Sequence, residues 1–536
     1  MKVIQDHCSP APARGGLRGA ALWALAICLG LGGCTAEPSG APAGNQPGGA
    51  ASPAAPGPTA VSPGTKTDRE TWYVTYMLGA KIGYQHSAYR HETRDGRLLT
   101  RVDTLSHLVT KRGLSSIETD LRVADVSTAD GGLVEFQSEV SQGGTSITSR
   151  GSVVGDTLRI ETTTRGKRVT STIPWSAGFG GFSAVDQSLA RKPMAPGERR
   201  SLRALIPGLD TVLLANVELA AAKHQRVKLL TGTYDLLRVD CVTTVPGSPA
   251  MRDTYWVDRT GQSMKVYNEM IGAESFLTTR EVAQDTRGLA QLDFNLDLAV
   301  PVDRPLVPPH ATRRVRYRLT LGRGDPAAAF VSGPSQQVKS IDPHTAEVTV
   351  YALRPGQAGG APGASDDPPA EEDRRPSSFI QSDNPKIAAL AQKIAGDKTD
   401  PWQKAVALER FVHGYVALKG FSQGFATAAD VVESREGDCT EHAVLLAAIC
   451  RAAGIPARVA VGLVYQDQKF LFHMWTEVYV GKRWTPIDAT LARGGIGAAH
   501  LKLAHSSLQG GSAFSAVLSV ANVLARGLKV EVLEVE

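Results

Sequence analysis

The sequence predicts an α+β protein in two parts: a β-rich, antiparallel N-terminal region followed by a C-terminal domain in which helices precede strands. Three observations carry that expectation. Between about residues 70 and 290, runs of alternating polar and apolar residues are punctuated by turn signals, the pattern of sheets with one wet face. Beyond residue 380 the apolar period changes from two to 3.6. The composition, 42% hydrophobic and 21% charged over 536 residues, is globular and long enough for roughly two to four domains.

Lys and Arg total 58 against 53 Asp and Glu, a formal charge of +5. No basic run concentrates that charge, so no nucleic-acid partner is expected. Collagen-like, coiled-coil and wholly disordered chains are excluded by composition. No ATP, flavin or nicotinamide motif occurs, so no cofactor is implied.

Residues 1–33 carry Lys2, Arg14 and Arg18, then an apolar run from Ala20 to Leu29, shorter than the ~20 residues that cross a bilayer. That is a secretory signal. Its end, Leu31-Gly32-Gly33-Cys34, resembles the lipobox of bacterial lipoproteins, which implies that Cys34 is lipidated and becomes the mature N-terminus. Residues 34–66 are almost all Pro, Gly, Ala, Ser and Thr, a tether with nothing to bury. Thr35 stands where many inner-membrane lipoproteins carry Asp. The expected location is therefore the bacterial cell envelope, lipid-anchored in the outer membrane and facing the periplasm. Of six cysteines, Cys8 and Cys28 leave with the signal, and Cys241, Cys439 and Cys450 remain in the folded part. Three is odd, so one thiol stays unpaired in an oxidising compartment unless two chains cross-link.

The antiparallel β domain spans 67–290. Trp72 to Met77 is β-branched and aromatic, and turns recur at Asp95-Gly96, Asp130-Gly131, Gly155-Asp156 and Thr260-Gly261. Cys241, inside Leu237 to Val242, reads as a strand core residue. Residues 300–355 add a small β module, with Arg314 to Leu321 and Ala346 to Tyr351 as strands. Residues 356–378, through Asp366-Asp367-Pro368-Pro369, read as a Pro-rich acidic linker.

The helical stretch follows. Asp383 and Pro385 open a first helix and Asp400-Pro401 a second, with Trp402, Val406, Phe411 and Tyr415 among its apolar positions. Thr427 to Asp430 has the form of a capping box for a third. Val444 to Cys450 is apolar on nearly every side and predicts a buried helix that ends at Gly454. Cys439 then sits at that helix's N-terminus, where unsatisfied backbone N–H groups and the helix dipole favour an anion.

Ala457 to Tyr465 and Phe472 to Val480 read as strands, and Gly481-Lys482 as a hairpin turn into Arg483 to Asp488. Pairing Val480 with Arg483 sets Asp488 opposite Trp475, with His473 one alternate step along on the same face. Diagonal neighbours there lie roughly 7–8 Å apart, within reach of a carboxylate-to-imidazole hydrogen bond. A helix-borne thiol, a strand-borne imidazole and an orienting carboxylate meet the needs of nucleophilic acyl transfer.

Gly437-Asp438-Cys439-Thr440-Glu441-His442-Ala443, Arg451 to Arg458, His473-Met474-Trp475-Thr476-Glu477-Val478, Trp484 and Asp488-Ala489-Thr490 together resemble a bacterial transglutaminase-like domain over about 380–495. The resemblance implies a papain-like fold with Cys439 as nucleophile, His473 as general base and acid, and Asp488 as its orienter. Met474 departs from the small residue commoner at its position. Asp438 and Thr440 stand where animal cross-linking enzymes carry Gln and Trp, which weakens any expectation of calcium-dependent cross-linking. Residues 496–536 are left as a C-terminal extension.

Other side chains have plainer readings. Cys450 is core, about 16 Å from Cys439 along the helix and too far for a disulfide. His442 with His473 and Asp488 suggests zinc, yet no Cys-x-x-Cys pair accompanies them and no metal is expected. Trp475 and Trp484 are packing residues, and Glu477 a structural hydrogen-bond partner. The expected function is that of an envelope thiol enzyme cutting peptide or isopeptide amides through a thioester, hydrolytic rather than transamidating. A catalytically silent binding or assembly protein is the alternative. Activity requires the Cys439 sulfur to be ionised, open to solvent and aimed at the imidazole.

Overall fold

A computed structural model describes residues 67–536 except 113–114, 143–144, 165–166, 209–210, 247, 249, 290–291, 294–296, 355–359, 418–425 and 510. The expected signal at 1–33, the lipidated Cys34 and the tether at 34–66 lie outside the described residues. Among those described, no helix is long and apolar enough to cross a membrane.

The N-terminal region is one antiparallel sheet of fourteen strands, from β1 (Arg69–Met77) to β14 (Ala273–Thr278). Strands β1 to β8 (Lys167–Pro174) form a meander, β9 (Arg199–Pro207) to β14 form another, and the β1–β14 pairing joins them. Hairpin turns fix the register, as at Arg94↔Arg97 around Asp95-Gly96, both with positive φ. The segment after β8 links the start of the interior strand β5 to the edge strand β9. Leu133 N, at the start of β5 (Leu133–Gln142), donates to Phe179 O, while Gly180 bridges Ala204 in β9. The sheet therefore curls upon itself, with helix α1 (Ala184–Arg191) lying beside β9. Cys241 is a buried strand residue in this region, as expected.

A short helix, α2 (Arg280–Gln284), closes the β region. Strand β15 (Val300–Pro301) then pairs with a strand of the C-terminal sheet, so the chain joins that sheet well before its helices begin. Strands β16 (Arg314–Thr320), β17 (Gln336–Asp342) and β18 (Thr345–Tyr351) enclose the one-turn α3 (Pro326–Ala329). The predicted module at 300–355 is not self-contained, because β16 has a second partner from the far end of the chain, named below.

Four helices follow: α4 (Pro385–Ala395), α5 (Pro401–Tyr415), α6 (Ala428–Ser434) and α7 (Cys439–Ala452). Their caps are readable in the sequence with one shift: Asn384, not Asp383, caps α4. Asp400 caps α5, and Thr427 with Asp430 makes the capping box of α6. Helix α7 is buried along almost its whole length and packs on β19 (Ala457–Gln466) and β20 (Lys469–Val480). The turn between β19 and β20 is tighter than the gap between the predicted strands, which end at Tyr465 and resume at Phe472: Asp467 and Gln468 alone make it, both with positive φ, and Gln466 pairs with Lys469. Gly481-Lys482 turns into β21 (Arg483–Ile487), and Val480 pairs with Arg483 as expected.

Residues 496–536 belong to these sheets rather than extending from them. Strand β22 (His500–Ser506) pairs with β19, giving the order β15-β20-β19-β22 with β21 beside β20. Helix α8 (Gly511–Ala525) packs on β22, and β23 (Lys529–Val535) pairs with β16 to give β17-β18-β16-β23. The reason the sequence hid β22 is burial: most of its residues are buried on both faces, so no alternation survives. The described part of the supposed linker, 360–378, is bound to the same domain. Trp484 donates to Asp366 Oδ2 (2.6 Å) and to Asp367 O (3.1 Å), and Arg451 donates to Arg375 O (2.6 Å).

Candidate active site

The start of α7 is built by a short local code. Asp438 is the N-cap; its Oδ1 accepts from Thr440 N (2.8 Å), and Glu441 Oε2 accepts in return from Asp438 N (3.0 Å). Glu441 Oε1 also takes Ala426 N (2.9 Å), tying the segment before α6 to this corner. A side chain at Gly437 would lie 2.2 Å from Glu441 Cβ, so only glycine lets the carboxylate fold back. Burial, and then Asp438 beside it, push the Glu441 carboxyl up to about 8. Cys439 is the first residue of the helix, as predicted.

His473 lies on β20 and Asp488 one residue beyond β21. The hairpin register brings them together: His473 Nε2 donates to Asp488 Oδ2 at 2.8 Å. Asp488 Oδ1 accepts from Thr490 N (2.8 Å) and Thr490 Oγ1 (2.5 Å). Burial works against the Asp488 charge, but the imidazoles, His473 foremost, hold the carboxyl well below the usual carboxylate range. Strand β20 is pinned to the first turns of α7 by Thr476 Oγ1, which donates to Ala443 O (3.1 Å). Thiol and imidazole thus sit on two elements joined within a few residues of each.

One expectation fails. Cys439 is 0% exposed, and His473 and Asp488 are 2% and 1%, so the thiol that was to be open to solvent is enclosed. Cys450 is core as expected, its thiol driven upward by burial, and Cys241 behaves alike.

Two further neighbours of Asp488 were not read from the sequence. Glu409, in the middle of α5, is fully buried; its Oε1 accepts from Asp488 N (3.0 Å) and its Oε2 from Gly494 N (2.8 Å). Burial pushes its carboxyl up to about 7. An acid among apolar helical positions is the signal that was available. His500, on β22, places Nε2 3.3 Å from the same Asp488 Oδ2 that His473 uses. Behind it stands His310, ring centroids 5.8 Å apart, and the edge of Trp475 meets it at 5.2 Å. Nothing in the sequence ties residue 500 to the site, since burial on both faces hides the strand carrying it.

His442 does not complete a zinc set with His473 and Asp488. Its Nδ1 pairs with Asp438 O (2.6 Å), part of the helix start. His500 takes that place: ligand atoms of His473, Asp488 and His500 lie within 4.8 Å of one another, close enough for a divalent cation. Both imidazole N–H groups already serve Asp488, so a cation there would displace the His473–Asp488 hydrogen bond. Glu477 is a structural partner as predicted: Arg458 Nε (2.8 Å) and Lys502 Nζ (2.5 Å) donate to it, and they hold it down to about 2 against the upward push of burial. Trp484 packs under the Arg458 guanidinium, 3.9 Å from its ring centroid, and Trp475 against His473, consistent with packing roles.

These elements define an α+β domain whose buried helix carries a cysteine at its first position and packs on an antiparallel sheet bearing a His–Asp pair. Residues 388–489 match the model of the transglutaminase-like superfamily, and the chain carries a domain of that family. Three solved structures show a partial similarity to the chain. A protein described as a candidate cysteine protease from Cytophaga hutchinsonii is 19% identical over 42% of this chain and 86% of its own, with TM-score 0.27. A β-barrel-like protein of unknown function from Brucella abortus is 12% identical over 39% of this chain and 95% of its own, TM-score 0.30. A candidate protease from Parabacteroides distasonis is 12% identical over 65% of this chain and 64% of its own, TM-score 0.18. No curated protein matches the chain.

Proposed function

We propose that the protein is a cell-envelope thiol enzyme that hydrolyses peptide or isopeptide amide bonds, held to the outer membrane by lipid on Cys34. The observation that carries the reading is the 2.8 Å bond from His473 Nε2 to Asp488 Oδ2, on a strand pinned to the helix that begins with Cys439. With Nε2 engaged by Asp488, Nδ1 is the basic nitrogen of the ring. It takes the Cys439 proton as the sulfur attacks the amide carbonyl, and Asp488 stabilises the imidazolium. The C–N bond then breaks and the leaving amine takes that proton, giving a thioester. Water, deprotonated by His473, releases the acid and restores the thiol. Backbone N–H groups at the start of α7 are suited to hold the oxyanion.

Turnover requires the enclosed sulfur to become accessible, and that same enclosure favours a second reading, a catalytically silent envelope binding or assembly protein. Iodoacetamide at mildly acidic pH separates them. The enzyme reading expects Cys439 to react far faster than Cys241 and Cys450, and His473→Ala to remove the difference. Equal, slow labelling of all three thiols favours the silent protein. Peptide libraries incubated with and without a primary amine test the reaction itself. Cleavage by wild type and none by Cys439→Ala is expected, whereas amine incorporation without cleavage would make the protein a transamidase.

A further inference from the structure

We infer that His500 is a positioning residue of this site, acting on His473 through the carboxylate they share. The inference rests on the Cys439–His473–Asp488 reading above. Asp488 Oδ2 meets His473 Nε2 at 2.8 Å and His500 Nε2 at 3.3 Å. An ionised carboxylate only accepts, so each ring presents Nε2–H to that oxygen. The other oxygen is held by Thr490 N and Oγ1, and Asp488 N by Glu409. Four donors therefore fix the plane of the carboxylate, and His500 supplies the one that sits beside His473.

The arrangement is specific to this sheet. His473 is on β20 and His500 on β22, with β19 between them. Strands two apart are separated by roughly 9–10 Å, yet the ring centroids are 5.5 Å apart, because both side chains lean over β19 toward one oxygen. Gly462, paired with His473, presents no side chain in the gap. His310 and Trp475 pack against the His500 ring. Burial lowers the affinity of both His310 and His500 for a proton, against the upward pull of Asp488 on His500. A histidine placed merely to fill the core needs no share in the oxygen that orients another imidazole. Two donors on one oxygen hold His473 in the Nε2–H tautomer, the form that leaves Nδ1 to receive the thiol proton.

The test compares His500→Leu with His500→Gln in the full chain. The Gln amide nitrogen falls near the place of His Nε2 and keeps an N–H for Asp488, whereas Leu keeps only bulk. The expected result is a kcat about tenfold lower in His500→Leu with KM little changed, and recovery of most of that loss in His500→Gln. In spectra of protein labelled with ¹⁵N-histidine, with His473 assigned by its loss in His473→Gln, His473 should be a single Nε2–H tautomer in wild type and His500→Gln. It should become a mixture of tautomers in His500→Leu. Equal losses in both variants with an unchanged His473 signal, or no loss in either, overturn the inference. If His473→Gln abolishes turnover and rapid alkylation of Cys439 while His500→Leu alters neither, this inference alone fails. If His473→Gln alters neither, the site reading has failed and the inference falls with it.

Discussion

At Gly462, chain meets chain too closely for any side chain. A Cβ there would lie 2.0 Å from the backbone oxygen of Leu501, and the same residue pairs with His473 on one side and Lys502 on the other. Gly462→Ala must push β22 away from β19, carrying His500 from Asp488. We expect a loss of about 3 kcal/mol or more, read as a clear fall in the thermal midpoint. Gly414, near the end of α5, has nothing within 4 Å of where a Cβ would sit and is the control: Gly414→Ala should stabilise by about 0.5–1 kcal/mol. Legibility at this scale followed chemistry. The pairing of His473 with Asp488 was readable because a turn and a strand period fix which residues share a face, and the place of Cys439 at a helix start because its cap and apolar run are local. Glu409 and His500 were not, because each acts through a contact between elements far apart in sequence. The closure over the sulfur was equally invisible, since spacing says which groups meet and nothing about what covers them.

Among the elements, the β region carries buried acids whose protonation shapes its stability. Asp253, on β12 (Met251–Val257), accepts from Asn268 Nδ2 at 2.6 Å, and burial pushes its carboxyl up to about 7. Asp125, bonded to Ser183, is raised to about 6. A carboxyl raised on folding keeps its proton in the folded chain while the unfolded chain releases it. Its stabilising effect is complete below the ordinary carboxylate value, near pH 4, and is lost as pH rises toward the folded value. Stability of the β region should therefore fall between about pH 4 and 7. Asp253→Asn, which keeps an acceptor for Asn268, should narrow the difference in thermal midpoint between pH 5 and pH 8; an unchanged difference would remove Asp253 as a source. The strands themselves were legible because one wet face preserves alternation. Strand β22 was obscured because most of its residues are buried on both faces, where parity disappears, and the start of β20 because Lys469 follows the polar residues of a turn.

Over the whole molecule, the boundaries drawn from composition were the least secure part of the reading. Proline and acid content marks 356–378 as a linker, but Asp366 and Asp367 tie its described part, 360–378, to β21. The segment 300–355 looks separate because its strands are short and local. One of its neighbours is β23, with Arg314 and Glu534 paired across 220 residues of sequence. Val530 and Val532 of that strand are buried in the core that also holds Val315, Tyr317 and Leu319. Removing residues 529–536 should leave β16 with a bare edge and expose those side chains. The truncated chain is expected to lose its cooperative thermal transition in the C-terminal half while the fourteen-stranded sheet keeps its own, as separate calorimetric peaks would show.

The pairing of β16 with β23 also sets an order of events during synthesis. A ribosome finishes β16 long before it makes the strand that β16 needs, and the whole helical segment and its sheet emerge in between. Until then β16 carries an unsatisfied row of amides and carbonyls in a growing chain, a template for any stray extended segment. Maturation of the C-terminal half is thus tied to the arrival of β23, and conditions that slow or interrupt translation between residues 320 and 529 should raise the yield of aggregated, protease-sensitive chains.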